Sequence, residues 1–444
     1  MPMSVSSCVR PEVAAAAYTV PMTSRPRSTF APLRHRPFAA LWAGGLVSNV
    51  GTWMETVAAG VLVTQATGRA GWTGLIAIAA FVPTVALGPL GGALADRLPR
   101  RPLLLATVSA QMACAGLLAA LALTSRAAPP VVALVLFAAG CAGALGFPAF
   151  QSLLPDLVPA EDLLGAIALS SAQWNIGRVL GPLLATIALA AGGPGWAFAA
   201  NTLSFGAVLA ALLTIHLPVR RASPPAPLGS ALVAGARHAH GTPALRAALG
   251  CLALCSVLAG PFIALVPAMA LTVLRAGPGG AATLVTAQGL GAVGAAVAVG
   301  PLAARVGRGR VLLTTIVALP PALALYAWAP GLLAAAVAIA SLGGLYLSLL
   351  SGLSAVVQAH APAALRGRVM ALQGVVLSLF YAVGAVLQGA LADRVGLRFA
   401  TSGAAVALAL ALGGARLAYP HLVSALRGDV VARFESSDGP VAAR

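Results

Sequence analysis

Lysine is absent from this chain of 444 residues, and all 27 of its basic side chains are arginine. Charge of either sign is scarce, at 8% of residues, and only 10 residues are acidic. Soluble domains carry about 25% charge, so a water-clothed globule is excluded. Aromatic residues stop at 5%, while hydrophobic residues reach 59% and the mean hydropathy is +0.94. The solvent these figures call for is lipid. Without lysine there is no Ser-Lys pair, no His-Glu-x-x-His run occurs, and the acids inside apolar runs are too few for a metal site. The chain is therefore read as a membrane protein, as no enzyme, and as needing no cofactor or metal.

The five cysteines, Cys8, Cys114, Cys141, Cys251 and Cys255, lack zinc-ligand spacing and paired loop placement. Cys251 and Cys255 share a helix face and read as small packing residues. His238 and His240 stand together in a polar stretch, but two ligands cannot close a metal site.

What the chain has is apolar length. Twelve runs are long enough to cross about 30 Å of hydrocarbon. They cover 38–64, 73–95, 102–124, 131–154, 163–190, 196–215, 247–274, 281–304, 311–328, 331–359, 368–392 and 399–417. The natural partition is six plus six. It gives a disordered tail at 1–33, a bundle at 34–215, a Pro- and Arg-rich linker at 216–246, a second bundle at 247–417 and a tail at 418–444. Proline inside the runs, including Pro83, Pro261 and Pro267, survives in lipid only where neighbours satisfy the carbonyls it frees.

A repeat supports the partition. The charged turn Gly92-Ala93-Leu94-Ala95-Asp96-Arg97-Leu98-Pro99-Arg100-Arg101 returns in weaker form 208 positions later as Gly300-Pro301-Leu302-Ala303-Ala304-Arg305-Val306-Gly307-Arg308-Gly309. Over the fourteen positions from 92 to 105, seven are identical, where chance would give about one or two. A second echo at an offset of 203 pairs Pro159-Ala160 with Pro362-Ala363 and Ala168-Leu169 with Ala371-Leu372.

The net charge of +17 would suggest nucleic acid in a soluble protein, but here arginine follows topology. Twenty-one arginines fall on the side of the termini, five (Arg69, Arg126, Arg275, Arg394 and Arg398) on the other, and Arg178 within a span. The asymmetry places both termini in the cytoplasm of a multi-pass protein in the inner (plasma) membrane, with no nucleic-acid partner.

The charged turn resembles the signature of the major facilitator superfamily, carried here by Gly92, Leu94, Ala95, Asp96, Arg97, Arg100 and Arg101, with Pro99 where the family usually has glycine. Arg34-His35-Arg36-Pro37-Phe38, Trp42, Gly51-Thr52-Trp53-Met54, Gly181-Pro182 and Arg366-Gly367-Arg368-Val369-Met370 are similar to the branch containing bacterial siderophore exporters and macrolide efflux pumps. The resemblance implies an all-α polytopic fold with twelve transmembrane helices in two six-helix pseudo-repeats. It also implies gating by the charged turns, here Gly92, Asp96, Arg97, Arg100 and Arg101 with Arg305 and Arg308 of the second copy. Gly177 and Gly181-Pro182 are similar to the core of an antiporter motif whose closing glycines are replaced by Ala185 and Thr186.

Two charges lie deep in apolar runs, where an unpaired ion costs several kcal/mol. Glu55 sits in span one, on a polar stripe about 120° wide formed with Ser48, Asn49, Thr52 and Thr56. Arg178 sits in span five. Glu55 is expected to be the proton-coupling acid and Arg178 its partner or gate, with a permanent structural ion pair as the alternative. Asn49, Thr52, Trp53, Gln151, Ser256 and Tyr346 are the expected cavity residues. Asp393 and Arg394 are read as a local ion pair, with an external gate as the alternative.

Together these readings give a proton-coupled secondary transporter, working as a monomer in the bilayer, that exports a hydrophobic or amphipathic small molecule such as a drug-like compound or siderophore. An importer of the same fold is the first competing reading, followed by a non-transporting membrane protein or an intramembrane enzyme.

Overall fold

The structure is a computed structural model that describes residues 30–215, 228–362 and 365–418. Its long helices are α1 (Arg36–Thr67), α2 (Ala70–Arg97), α3 (Arg100–Leu123), α4 (Pro129–Leu157), α5 (Leu163–Gly192), α6 (Pro194–Thr214), α7 (Leu228–Gly241), α8 (Pro243–Leu258), α9 (Phe262–Ala268), α10 (Gly277–Val306), α11 (Arg308–Ala327), α12 (Leu332–His360), α13 (Arg366–Val395) and α14 (Leu397–Ala418). No strand occurs among the described residues. Twelve stretches are long and apolar enough to span a membrane, and their ends agree with the sequence reading to within about four residues.

The two halves repeat one packing plan. α1 lies on α5 and α6, α2 on α4, and α3 on α4 and α6; in the second half α8 lies on α13, α10 on α12, and α11 on α12 and α14. Missing side chains let the backbones touch. Gly140 of α4 backs onto the Ala79 and Ala80 carbonyls and Pro83 of α2, and Gly343 of α12, 203 residues later, backs onto Gln288 of α10. Gly181 of α5 rests on Val50 and Trp53 of α1. Its counterpart Gly384, again 203 residues on, rests on Val257 and Pro261. The repeat seen in the charged turn therefore extends to the helix contacts.

The seventh span is not the single helix that 247–274 suggested. It begins at Pro243, breaks after Leu258, resumes as α9 and ends in a π-helical turn at Met269–Val273. Pro261 has no N–H to offer the Val257 carbonyl one turn back. Buried Gln388 of α13 supplies the missing donor, its Nε2 reaching the carbonyls of Val257 at 2.9 Å and Leu258 at 2.8 Å.

The linker differs as well. Within 216–246 the residues from 228 onward form the helix α7 and the start of α8, and Gly235 packs against Arg368 at the start of α13. The expected tail at 1–33 falls outside the described residues except for residues 30–33, which begin a short 3-10 turn at Ala31–Arg34, and the tail from 419 onward is likewise outside them.

Several close contacts between the halves lie between mid-span and the face opposite the termini, and on the terminus side α7 touches both α2 and α13. Near that face Arg69 Nε donates to Asp393 Oδ2 at 3.3 Å, and the Gly71 amide reaches the same carboxylate at 3.2 Å. Gly74 backs onto Ala385, Gly389 onto Ala70 and Gly71, and Gly60 onto Pro267. At mid-depth Phe81 meets Tyr381 edge to face with ring centres 5.2 Å apart, and Gly289 lies against Val179. Asp393 thus joins α13 to the first half, where the sequence suggested a local pair with Arg394. The reason is reach: α2 starts against the end of α13, which leaves Arg69 beside the carboxylate.

Candidate functional site

α1 presents two faces to two neighbours. Gly44, Ser48, Gly51 and Glu55, spaced as successive turns, form the face toward α6, because Gly44 backs onto Ala207 and Gly51 onto Asn201 and Ser204. Gly45, Asn49 and Trp53 form the face toward α5, where they meet Gln173, Gly177 and Gly181. The polar stripe read from the sequence is thereby divided. Ser48 and Glu55 are buried against α6, Asn49 is half-buried against α5, and Thr52 and Thr56 are exposed.

Glu55 and Arg178 do not meet in this conformation. Asn201 of α6 donates its Nδ2 to Glu55 Oε2 at 2.7 Å, and Ser204 Oγ donates to Asn201 Oδ1 at 2.9 Å. All three side chains are buried, so the carboxylate sits in a closed hydrogen-bonded chain between α1 and α6. The guanidinium of Arg178 lies over the Trp53 ring, 5.6 Å from its centre. Trp53 and Glu55 are two residues apart and so about 200° apart around the helix, which turns the acid away from the cation. The ion pairs among the described residues are His35–Asp162, Arg69–Asp393 and Arg100–Asp156.

A second cluster forms at mid-depth. Trp53, Arg178, Ser256, Tyr346 and Tyr381 each lie within about two residues of the midpoint of their span, or roughly 3 Å of axial rise. Gly260, in the break of the seventh span, brings two of them together, flanked by the Tyr346 hydroxyl, the Tyr381 ring and, one turn back in its own span, the Ser256 backbone carbonyl. Tyr346 also meets Phe262 edge to face at 5.8 Å. Arg178 is within electrostatic range of both tyrosine hydroxyls. Trp53, Ser256 and Tyr346 of the expected cavity set are drawn together here; Asn49 packs at the α1–α5 contact, and Gln151 and Thr52 are exposed.

Of the residues expected to gate, Arg100 and Arg101 of the first charged turn bind within the first half in this conformation. Arg100 Nη1 donates to Asp156 Oδ2 at 2.6 Å and to the Ser152 carbonyl at 2.7 Å, and Arg101 Nη2 to the Leu213 carbonyl at 2.7 Å. Both arginines start α3, whose packing partners are α4 and α6, so their reach ends on those helices. Gly92 is half-buried on α2, while Arg97, Arg305 and Arg308 are exposed. The Asp96 side chain lies outside the described residues.

Sequence reasoning missed Asn201, Tyr381 and Gln388. Asn201 was visible as the one amide in the sixth apolar run, three residues before Ser204. Tyr381 and Gln388 carried no local signal, since their roles depend on a break in a helix more than a hundred residues away.

Twelve helices, a doubled packing plan and a seam between halves define a major facilitator superfamily transporter. A family model described as transmembrane secretion effector matches residues 27–430, and the chain belongs to that family. Macrolide efflux protein A of Streptococcus pyogenes is 27% identical over 150 residues, 34% of this chain and 37% of that protein. That match thus spans little more than a third of the relative's length. The enterobactin exporter EntS of Salmonella typhimurium is 29% identical over 369 residues, 80% of this chain and 86% of that protein. Among solved structures, a bacterial homologue of the human lysosomal transporter Spinster, inward-facing and occupied, superposes with a TM-score of 0.66 at 16% identity, covering 93% of this chain and 99% of that one. A D-xylose–proton symporter superposes at 0.64 with 15% identity, covering 84% and 95%. These two likenesses show the fold.

Proposed function

We propose that the chain exports a hydrophobic or amphipathic small molecule, a drug-like compound or a siderophore, in exchange for protons. The observation that carries the reading is the one-sided seam. The glycine, ring and ion-pair contacts described between the halves lie at mid-depth and toward the face opposite the termini, as expected of one end state of alternating access, while on the other side the linker helix α7 touches both α2 and α13. The arginine asymmetry supports a cytoplasmic location for the termini, which makes this state open to the cytoplasm. The units that rock are 34–215 and 247–417, joined by 216–246 and acting as a monomer. The efflux and exporter names of the relatives support the outward direction.

Glu55 is the coupling acid in this reading. Among the described residues it is the acid nearest mid-span, and it is buried against the Asn201 amide of α6. The test is uphill accumulation by everted membrane vesicles under an imposed proton gradient, across siderophores, macrolides and dyes. Accumulation that is abolished by collapsing the gradient supports the reading. Accumulation only in right-side-out vesicles makes the protein an importer, and the absence of saturable counterflow for every compound overturns carrier transport altogether.

A further inference from the structure

Arg178 is a cation at mid-span with no counter-charge among the described residues. It makes no hydrogen bond or ion pair among the described residues, and the acid nearest in sequence reasoning, Glu55, is committed to Asn201 on the far side of α1. Its face is spent on Trp53, but stacking leaves the five N–H donors around the edge of a guanidinium available. At the same depth in the second half stand neutral hydroxyl side chains, Ser256, Tyr346 and Tyr381. Tyr346 is 2% exposed and Ser256 0%, and their buried oxygens lie near each other with no further hydrogen-bond partner among the described residues. The indole Nε1 of Trp53 is unpartnered too. A half-buried cation at mid-span beside donors without partners is costly in apolar surroundings, and a group that brings negative charge and accepting lone pairs offsets that cost.

We propose that Arg178, with Trp53, Ser256, Tyr346 and Tyr381 around it, binds an acidic group of the transported molecule, a carboxylate or an ionised catechol. The proposal rests on the transporter reading and names its substrate class: amphipathic anions. Arginine suits the task because its fork donates two parallel bonds to a planar pair of oxygens. Trp53 and Tyr346 stand on opposite halves, so one acidic group held between them would touch both.

The test uses the full-length protein and two xanthene dyes of similar size and opposite charge, anionic fluorescein and cationic rhodamine 6G. In everted vesicles the wild type is expected to move fluorescein preferentially. The fluorescein-to-rhodamine 6G ratio is expected to fall by about tenfold or more in Arg178→Gln, the loss typical of one charge-assisted contact, and by less than about threefold in Arg178→Lys. Equal loss of both dyes, or an unchanged ratio, overturns the proposal while leaving the transporter reading in place. Fluorescein binding to the purified protein, followed by its anisotropy, separates the two readings. Binding that depends on Arg178 without transport keeps the anion site and sinks the transporter. Competition by chloride, but not gluconate, at tens of millimolar assigns the site to inorganic anions and overturns the substrate claim. Monodispersity in size-exclusion chromatography checks that the variants fold.

Discussion

Asn201 donates its side-chain amide to the Glu55 carboxylate at 2.7 Å across the contact between α1 and α6. Removing the amide leaves a buried carboxylate with no donor, and Asn201→Leu should cost about 1–3 kcal/mol of stability. Thermal unfolding in detergent measures it. Glu55→Gln keeps the shape and can still accept from Asn201, so it should unfold within a few degrees of the wild type. Its gradient-driven transport should be lost while exchange of substrate down its own gradient continues. A variant that kept uphill transport would remove Glu55 from coupling.

The bond from Gln388 to the broken seventh span makes a double-mutant test possible. Gln388→Leu strips two buried carbonyls of their donor and should destabilise by about 1–3 kcal/mol for each group left unpaired. Pro261→Ala returns a backbone N–H to Val257, so the double variant should recover part of that loss. Additive losses in unfolding experiments would show that the amide does not serve the break.

Gly74 backs onto the Ala385 carbonyl with no room for a side chain. Gly74→Val should therefore pry the seam open on the face opposite the termini and favour the opposite end state. Labelling of a cysteine placed at Phe81 by an impermeant reagent from that face should rise several-fold over the same reporter in the Gly74 background. Gly88→Ala, on the same helix but facing open space, is the matched control.

The Arg69–Asp393 pair closes the same seam with a side chain that is 67% exposed on the arginine side. An exposed pair contributes about 0–1 kcal/mol, so Arg69→Ala should shift the balance of end states by less than about fivefold. Asp393→Ala should do more, because it also removes the acceptor of the Gly71 amide. If the two variants behave identically in the labelling assay, the backbone bond contributes nothing to closure.

The helices were legible because lipid demands about twenty apolar residues per crossing and leaves little room for other solutions. The repeat was legible where charge interrupts it, at Arg97 and Arg305, and silent where it rests on glycine, at Gly181 and Gly384. Direction was the harder quantity. The stripe from Ser48 to Thr56 announced a polar side of α1, yet that side has two neighbours, and only the glycine contacts of α5 and α6 decide which residue meets which. The same ambiguity joined Glu55 to Arg178 by charge alone. The Arg69–Asp393 contact joins residues 324 positions apart, and no periodicity in one helix can disclose it.

Gln388 fastens α13 to a gap in a helix it does not belong to, in a place water does not reach. A pumping stroke that slid α13 along its own axis would strand the carbonyls it serves. Any flexing at the Gly260–Pro261 elbow therefore has to carry α13 along, which couples two of the second half's six spans.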